Sequence, residues 1–173
     1  EINGFLKKIT SKKFSALKIR IHGDYHLGQV LYTGKDFVII DFEGEPARSL
    51  SERRLKRSVL RDLAGMIRSF HYAAYGSLYL NTSVSPDDIP RLRVWADQWY
   101  YHVGGIFLDS YLKTVEDSNL VPKDRQDFET LLQVFLLEKA VYELGYELNN
   151  RPDWISIPLK GIKHILRDVK IMK

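Results

Sequence analysis

The fold is decided by a stretch near the start of the chain. It reads His22-Gly23-Asp24-Tyr25-His26-Leu27-Gly28-Gln29 and is followed, twelve residues after Gln29, by Asp41-Phe42-Glu43. Between these polar segments lie two apolar runs, Val30-Leu31-Tyr32 and Phe37-Val38-Ile39-Ile40, joined by Thr33-Gly34-Lys35-Asp36. Apolar runs separated by a short turn that contains Gly predict an antiparallel β-hairpin. The second run is fully apolar, so the hairpin is expected to place Asp41 at the end of a buried strand.

Beyond residue 58 the apolar residues recur at the spacing of α-helices. This spacing predicts helices over residues 58–76, from about residue 86 toward Leu112, and over residues 124–148, with a short fourth helix around Ile162. Trp95 and Trp99 fall on the apolar stripe of the second helix and are expected in the core. The predicted fold class is therefore mainly α with a small β-hairpin, an α+β arrangement.

The composition indicates one globular domain. The chain has 173 residues, 45% of them hydrophobic, no Cys and a net charge of +4. This composition excludes disulfide scaffolds and Cys nucleophiles, and it is typical of a cytoplasmic protein. No apolar run is long enough to predict a membrane span. The basic segment over residues 48–61 lacks the interleaved aromatic residues of a stacking platform, so a nucleic-acid partner is not expected.

Two kinds of chemistry fit the first polar segment. Alternating His22, Asp24 and His26 would project to one side of a strand and hold a metal ion, as in hydrolases. Two glycines in the segment disfavour a regular strand, and the neighbouring sequence offers no further His to complete such a site. The other interpretation is the catalytic loop of a kinase.

In a kinase loop, an Asp orients the attacking hydroxyl and accepts its proton, and an amide side chain five residues later binds Mg²⁺. Asp24 and Gln29 have this separation. The metal also needs a carboxylate from the end of the neighbouring strand, because phosphoryl transfer depends on positioning and charge neutralisation. Asp41 is the candidate for that second Mg²⁺ ligand.

The third predicted helix changes character along its length. One stripe begins with apolar residues at Phe128 and continues on the same face as Lys139, Tyr142, Glu143 and Tyr146. A second apolar face lies on the far side of this helix, so the polar half of the stripe is expected to face a cleft. The alternative is a helix end that leaves the core with its Lys and Tyr side chains reaching solvent.

Three segments together carry a resemblance to a known family. They are His22-Gly-Asp24-Tyr-His26-Leu-Gly-Gln29-Val-Leu, Asp41-Phe-Glu43-Gly-Glu45-Pro-Ala-Arg, and Arg61-Asp62-Leu-Ala-Gly-Met-Ile-Arg-Ser-Phe-His-Tyr-Ala-Ala74. The chain resembles the maltokinases, which belong to the aminoglycoside-phosphotransferase-like kinases and include domains fused to trehalose synthase. The resemblance implies the C-terminal lobe of a protein-kinase-like fold. It also implies ATP-dependent phosphorylation of maltose at its anomeric hydroxyl.

The resemblance implies a role for each matching residue. Asp24 would be the catalytic base, and His26 would lie near the transferred phosphate. Mg²⁺ would be bound by Gln29 and Asp41, and Glu43 would either add a carboxylate to the metal site or hydrogen-bond the loop. His22 and Asp62 would support the catalytic loop. The sugar would contact the polar half-stripe, that is, Lys139, Tyr142, Glu143 and Tyr146.

The 173 residues contain neither a Gly-rich phosphate loop nor a Walker A sequence. Residues 1–18 are therefore expected to connect to a missing N-terminal kinase lobe, with which a trehalose synthase domain would be fused. Residues 19–173 would form the C-terminal lobe, with the catalytic loop and metal hairpin over 19–46 and a helical, substrate-binding body over 58–173. Alone, the chain is expected to be inactive. The alternatives are a phosphotransferase for another small acceptor such as an aminoglycoside, and a catalytically silent kinase-like domain that binds glycan.

Overall fold

A computed structural model describes residues 12–171 of the chain. Most of these residues are helical. The elements in chain order are β1 (Lys18–Ile19), β2 (Val30–Tyr32), β3 (Phe37–Ile39), α1 (Leu50–Arg53), β4 (Arg57–Ser58), α2 (Leu60–Tyr79), α3 (Ile89–Thr114), α4 (Arg125–Asn150) and α5 (Ser156–Ile171). Single 3₁₀ turns at Leu27–Gln29, Pro86–Asp88 and Pro152–Trp154 precede β2, α3 and α5.

The strands form two small antiparallel sheets. Strands β2 and β3 make the predicted hairpin, in which Leu31 lies opposite Val38, and its turn contains Gly34 at a φ of 90°. Strands β1 and β4 pair Ile19 with Arg57 and so join the start of the described chain to the segment before α2. The predicted fold class, mainly helical with a small β-hairpin, is confirmed.

Helix α2 is the centre of the body, and α3, α4 and α5 all pack on it. It is buried around most of its circumference, because apolar residues occupy more than one stripe of its sequence. Leu60 and Leu63 enter one core cluster with the start of α4, whereas Tyr75 and Leu78 enter a second cluster with Ile157 at the start of α5. These two clusters hold the four long helices together.

All four predicted helices are confirmed, and the last is longer than expected. The side chain of Asp124 caps the start of α4 by accepting a hydrogen bond from the backbone N–H of Asp127. Helix α5 runs for 16 residues and follows a 3₁₀ turn at Pro152–Trp154. Its apolar residues Ile157, Ile162 and Ile165 pack against the body.

Two expectations about burial are wrong. The second hairpin strand is exposed, and Phe37 keeps 66% of its surface accessible, because no element of residues 12–171 lies over either face of the hairpin. Trp95 is 71% exposed and Trp99 is 44% exposed. Helix α3 instead turns Leu92, Ala96, Tyr100, Phe107 and Tyr111 toward the body.

The expected connector lies partly outside the described residues, which begin at Lys12. Residues 12–17 have no regular structure, and the backbone N–H of Leu17 donates to the carbonyl of Asn119. Lys18 already belongs to β1. Within the described part of the chain, none of the helices has the length and apolar character required to cross a bilayer.

Candidate active site

The loop that contains Asp24 is anchored to the first turn of α2 by the carboxylate of Asp62. Its Oδ2 accepts from the backbone N–H of His22 at 2.7 Å, and its Oδ1 accepts from that of Gly23 at 2.9 Å. Burial raises the pKa of Asp62 and outweighs these two hydrogen bonds, which favour the charged form. The loop backbone is therefore tied to α2 at two adjacent residues.

Two glycines allow the loop to approach this closely. Gly23 has a φ of 85°, a conformation that side chains disfavour. Gly65 lies one turn after Leu60 on the face of α2 that meets the loop, and a Cβ at this position would lie 2.6 Å from the carbonyl oxygen of Tyr25. Helix and loop are thus in backbone contact at Gly65.

The buried side chain of His22 links the loop to the hairpin. Its Nε2 lies 2.8 Å from the carbonyl oxygen of Ile40, and its Nδ1 accepts from the backbone N–H of Asp24 at 3.3 Å. Because Nδ1 accepts, the ring carries its proton on Nε2 and donates to Ile40. His22 is therefore fully engaged in holding the loop, which leaves the metal-ion interpretation of His22, Asp24 and His26 without one of its ligands.

Asp24 has one basic group at each carboxylate oxygen. Lys139 Nζ lies 3.5 Å from Oδ1, and His26 Nε2 lies 3.6 Å from Oδ2. Burial alone would raise the pKa of Asp24, but the hydrogen bonds and charges of His26 and Lys139 lower it below its ordinary value. Asp24 is consequently a carboxylate at neutral pH and can accept a hydrogen bond from a hydroxyl group.

His26 is oriented by the turn that follows it. Its Nδ1 accepts from the backbone N–H of Gly28 at 3.0 Å, so Nε2 carries the proton and faces Asp24. The N–H of Leu27 donates to the hydroxyl of Ser69 on α2 at 2.9 Å. The turn therefore holds the imidazole beside the catalytic candidate.

The two expected Mg²⁺ ligands meet at the base of the hairpin. Gln29 Nε2 donates to Asp41 Oδ2 at 2.9 Å, and Asp41 has a φ of 62°, which is rare outside Gly. Both side chains carry the oxygen donors that Mg²⁺ prefers, and Mg²⁺ needs few of them because it keeps several waters. Glu43 is exposed. Among residues 12–171 no three His, Asp or Glu side chains are grouped as a ready-made metal site.

A cavity of about 360 Å³ opens beside Asp24, between α2 and the second half of α4. All four residues of the predicted polar half-stripe line it, and so do several that the sequence did not single out. The lining comprises Asp24, His26, Glu45, Gly65, Ser69, Tyr72, Lys139, Tyr142, Glu143, Tyr146, Glu147 and Arg151. The structure thus brings the predicted catalytic and sugar-binding residues to one place.

Two of the carboxylates in this cavity are held by partners that sequence reasoning missed. Arg68, buried on α2, donates from Nε and Nη2 to Glu143 Oε2 at 2.9 and 2.7 Å. Burial raises the pKa of Glu143 despite this guanidinium. A charged residue inside the otherwise apolar run of α2 is the signal that could have identified Arg68, because a buried Arg requires an acidic partner.

Glu147 is the second of these carboxylates. It accepts from Arg151 at 2.7 and 2.8 Å and from the hydroxyl of Tyr72 at 3.1 Å. The guanidinium of Arg151 in turn lies 4.2 Å from the ring centroid of Trp154. The far wall of the cavity is therefore a hydrogen-bonded network with fixed side chains.

Comparisons with known proteins point to sugar kinases. No protein-family model matches the chain. A curated relative named glucosamine kinase, from Streptacidiphilus jiangxiensis, is 26% identical over 148 residues, which cover 86% of this chain and 32% of the relative. Another, a glucosamine kinase from Mycolicibacterium smegmatis, is 28% identical over 150 residues, covering 84% of this chain and 34% of the relative. The chain thus spans about a third of the length of these relatives.

Solved structures have the same fold over a similar fraction. A glucosamine kinase in crystal form B has a TM-score of 0.73 at 20% identity, covering 96% of this chain and 38% of that one. A glucosamine kinase in complex with glucosamine, ADP and inorganic phosphate has a TM-score of 0.65 at 23% identity, covering 87% and 36% of the two chains.

These findings correct the resemblance drawn from the sequence. The relatives and the structural neighbours are named glucosamine kinase, a different sugar kinase from the maltokinases that the motifs suggested. Neither maltose as the acceptor nor fusion to trehalose synthase is supported. What the two groups have in common is phosphoryl transfer to a sugar.

Proposed function

We propose that the chain is the catalytic C-terminal lobe of an ATP-dependent sugar kinase, with an amino sugar such as glucosamine as its acceptor. The observation that carries this proposal is the position of Asp24. Its carboxylate lies in the wall of the 360 Å³ cavity, between Lys139 and His26, and within the same loop that leads to Gln29. The names of the relatives support the choice of acceptor.

Asp24 would position the attacking hydroxyl by accepting its hydrogen bond. It would take the proton as the hydroxyl oxygen bonds to the γ-phosphorus of ATP and the bond from that phosphorus to the bridging oxygen breaks, which releases ADP. Its lowered pKa makes it a weak base, so positioning is the larger part of its role. Lys139 would add positive charge near the transferred phosphoryl group, and the Nε2–H group of His26 would donate a hydrogen bond there. Each residue acts from a fixed position, as phosphoryl transfer requires.

Gln29 and Asp41 would hold Mg²⁺, and the metal would supply charge neutralisation for the nucleotide phosphates. The contact between their side chains at 2.9 Å and the constrained backbone of Asp41 support this assignment. Glu43 is exposed two residues after Asp41 and remains a candidate either to bind the metal or to hydrogen-bond the loop.

The acceptor cavity has the chemistry of a sugar site. Tyr142 and Tyr146 offer flat apolar faces, and Glu143 and Glu147 offer carboxylate oxygens at fixed positions. Carboxylates can accept hydrogen bonds from hydroxyl groups and attract a protonated amine more strongly. The lining has four carboxylates against two cations, and this excess of negative charge favours an amino sugar over a neutral one.

The proposal includes an N-terminal lobe that covers the nucleotide. The relatives are about three times as long as the stretch they share with this chain. The hairpin exposes apolar side chains on both faces, Tyr32 and Phe37 on one and Leu31 and Val38 on the other. Such a concentration of exposed apolar surface is typical of a site that another part of a protein covers.

The test is acceptor profiling of the full-length protein with ATP and Mg²⁺, comparing glucosamine, glucose, N-acetylglucosamine and an aminoglycoside. We expect glucosamine to have the highest kcat/KM. Asp24→Asn should lower kcat by about 10²–10⁴-fold with glucosamine binding retained, because the amide keeps the shape but accepts no proton. Asp109→Asn, an exposed carboxylate on α3, is the matched control and should have no effect.

Three results would contradict the proposal in different ways. Preference for the aminoglycoside would change the acceptor class. Full activity in the Asp24→Asn variant would remove Asp24 from the mechanism. Glucosamine binding without any ATP-dependent product would indicate a silent, glycan-binding domain.

A further inference from the structure

A second cavity, of about 420 Å³, lies between α3 and α5 at the end of α2 and includes none of the residues assigned above. Its lining carries four formal positive charges, Arg93, Lys160, Lys163 and Arg167, and one carboxylate, Asp97. The remaining lining residues are Tyr79, Ser156, Leu159 and His164. No other cavity described in residues 12–171 has such an excess of cations over carboxylates.

The cations reach this cavity by helical spacing. Lys160, Lys163 and Arg167 are separated by three and four residues on α5 and so share one face, while Arg93 comes from the first turns of α3. Like charges on one face repel each other and destabilise the helix pair modestly. A bound anion would reverse this cost, because each cation would gain a partner of opposite charge.

Lys160 is held in place before any ligand arrives. Its ammonium donates to the hydroxyl of Tyr79 at 3.0 Å and lies 4.0 Å from the ring centroid of Tyr75, which is fully buried. A lysine restrained by two tyrosines loses little side-chain entropy on binding, so its charge is already positioned.

Asp97 supplies the observation that points to the rest of the ligand. Its Oδ1 is buried and accepts no hydrogen bond from any group among the described residues. A buried carboxylate oxygen without a donor is unfavourable, and a rotation of the Asp97 side chain toward a hydroxyl group in the adjoining cavity would satisfy it. A carboxylate among four cations also discriminates against sulfate, which is fully ionised at neutral pH and offers no such donor.

We propose that this cavity binds a small phosphate ester that also carries hydroxyl groups, that is, a ligand of the sugar phosphate class. The phosphate would be contacted by Lys160, Lys163, Arg167 and Arg93. Asp97 would accept a hydrogen bond from a hydroxyl group of the ligand. The cations line one concave cavity of about 420 Å³, a size that fits a small ligand. The site does not depend on phosphoryl transfer at Asp24.

The test is calorimetric titration of the full-length protein with glucose 6-phosphate. The double variant Lys163→Glu/Arg167→Glu should weaken binding by at least about tenfold, because two exposed cations become anions without loss of buried contacts. The matched control is Arg54→Glu/Lys56→Glu, which makes the same charge change at two exposed cations outside the cavity. It should change the affinity by less than about twofold. Saturating glucosamine, which would fill the acceptor cavity, should leave the binding of glucose 6-phosphate intact, so an acceptor-site contribution is distinguishable.

A second variant tests the role of Asp97. Asp97→Asn should bring the affinities for glucose 6-phosphate and sulfate closer together, chiefly by tightening the binding of sulfate, while thermal unfolding checks the fold. Equal losses in the double variant and its charge control would overturn the site. Equal affinity of the unaltered protein for sulfate and the sugar phosphate would overturn the hydroxyl contact. Tighter, salt-dependent binding of a single-stranded oligonucleotide would replace the small ligand with a nucleic acid.

Discussion

The hairpin and helix α2 are both rich in apolar residues, yet one is exposed and the other is buried. Phe37 and Leu31 in the hairpin keep 66% and 51% of their surface accessible, whereas Leu63 in α2 keeps 2%. Three helices from the same chain cover α2, and no described element covers the hairpin. An apolar sequence therefore indicates that a segment is suited to burial, but it does not show whether the element that buries it belongs to the same chain.

The largest expected effect separates these two regions directly. Leu63→Ala should lower the free energy of unfolding by about 2–5 kcal/mol, because it leaves a cavity in the core. Leu31→Ala, the same substitution at an exposed site, should change it by less than about 0.5 kcal/mol in the 173-residue chain. Denaturant unfolding of both variants measures the difference.

The substitutions Leu63→Ala and Leu31→Ala can also be compared in the full-length protein. If the proposed N-terminal lobe covers the hairpin, Leu31→Ala should become more destabilising there than in the 173-residue chain. Equal small effects in both forms would show that the hairpin remains uncovered.

The next effect concerns the contact between α2 and the catalytic loop. Gly65→Ala should destabilise the protein by about 1–3 kcal/mol, because its Cβ would meet the backbone of Tyr25. Gly104→Ala is the matched control within α3, where a Cβ meets no atom within 4 Å, and it should stabilise by about 0.5–1 kcal/mol. Thermal unfolding and kcat report on both. Two stabilising substitutions would contradict the backbone contact at Gly65.

The smallest effect is a shift with pH. Lys139→Met removes a charge that favours the Asp24 carboxylate, so the pKa of Asp24 should rise toward its ordinary value. Protonation then occurs at higher pH, and the acid limb of kcat/KM for the full-length protein should move to higher pH. Lys113→Met, an exposed lysine on α3, should leave the limb in place. An unmoved limb for Lys139→Met would separate Lys139 from the titration of Asp24.

Local patterns in the sequence were sufficient for the hairpin and the four long helices, but not for the short elements Leu50–Arg53 and Arg57–Ser58. Helical spacing identified α2 to α5, and the turn at Gly34 identified the hairpin, because both signals lie within a few residues. Trp95 and Trp99 show the limit. They do lie on an apolar stripe of α3, but the packed stripe is the one with Tyr100 and Phe107. Which of the two apolar stripes is buried depends on the elements that pack against the helix, and the spacing of residues within one helix does not reveal those elements.

The candidate site likewise has a part that the sequence predicted and a part that it did not. The segments with Asp24, Gln29 and Asp41 are close in sequence, and their spacing indicated their proximity. The partner of Glu143 was missed, because Arg68 lies 75 residues away. That ion pair forms only when α2 and α4 pack side by side, which no single stretch of sequence specifies.

The anchor at Asp62 has a consequence for how such a protein can change over generations. Both of its hydrogen bonds go to main-chain N–H groups, which every residue except Pro possesses. Side chains along the loop are therefore not required for this attachment to α2. Mutations can alter the chemistry displayed at this loop while its tether to α2 persists, so new acceptors are accessible without a new scaffold.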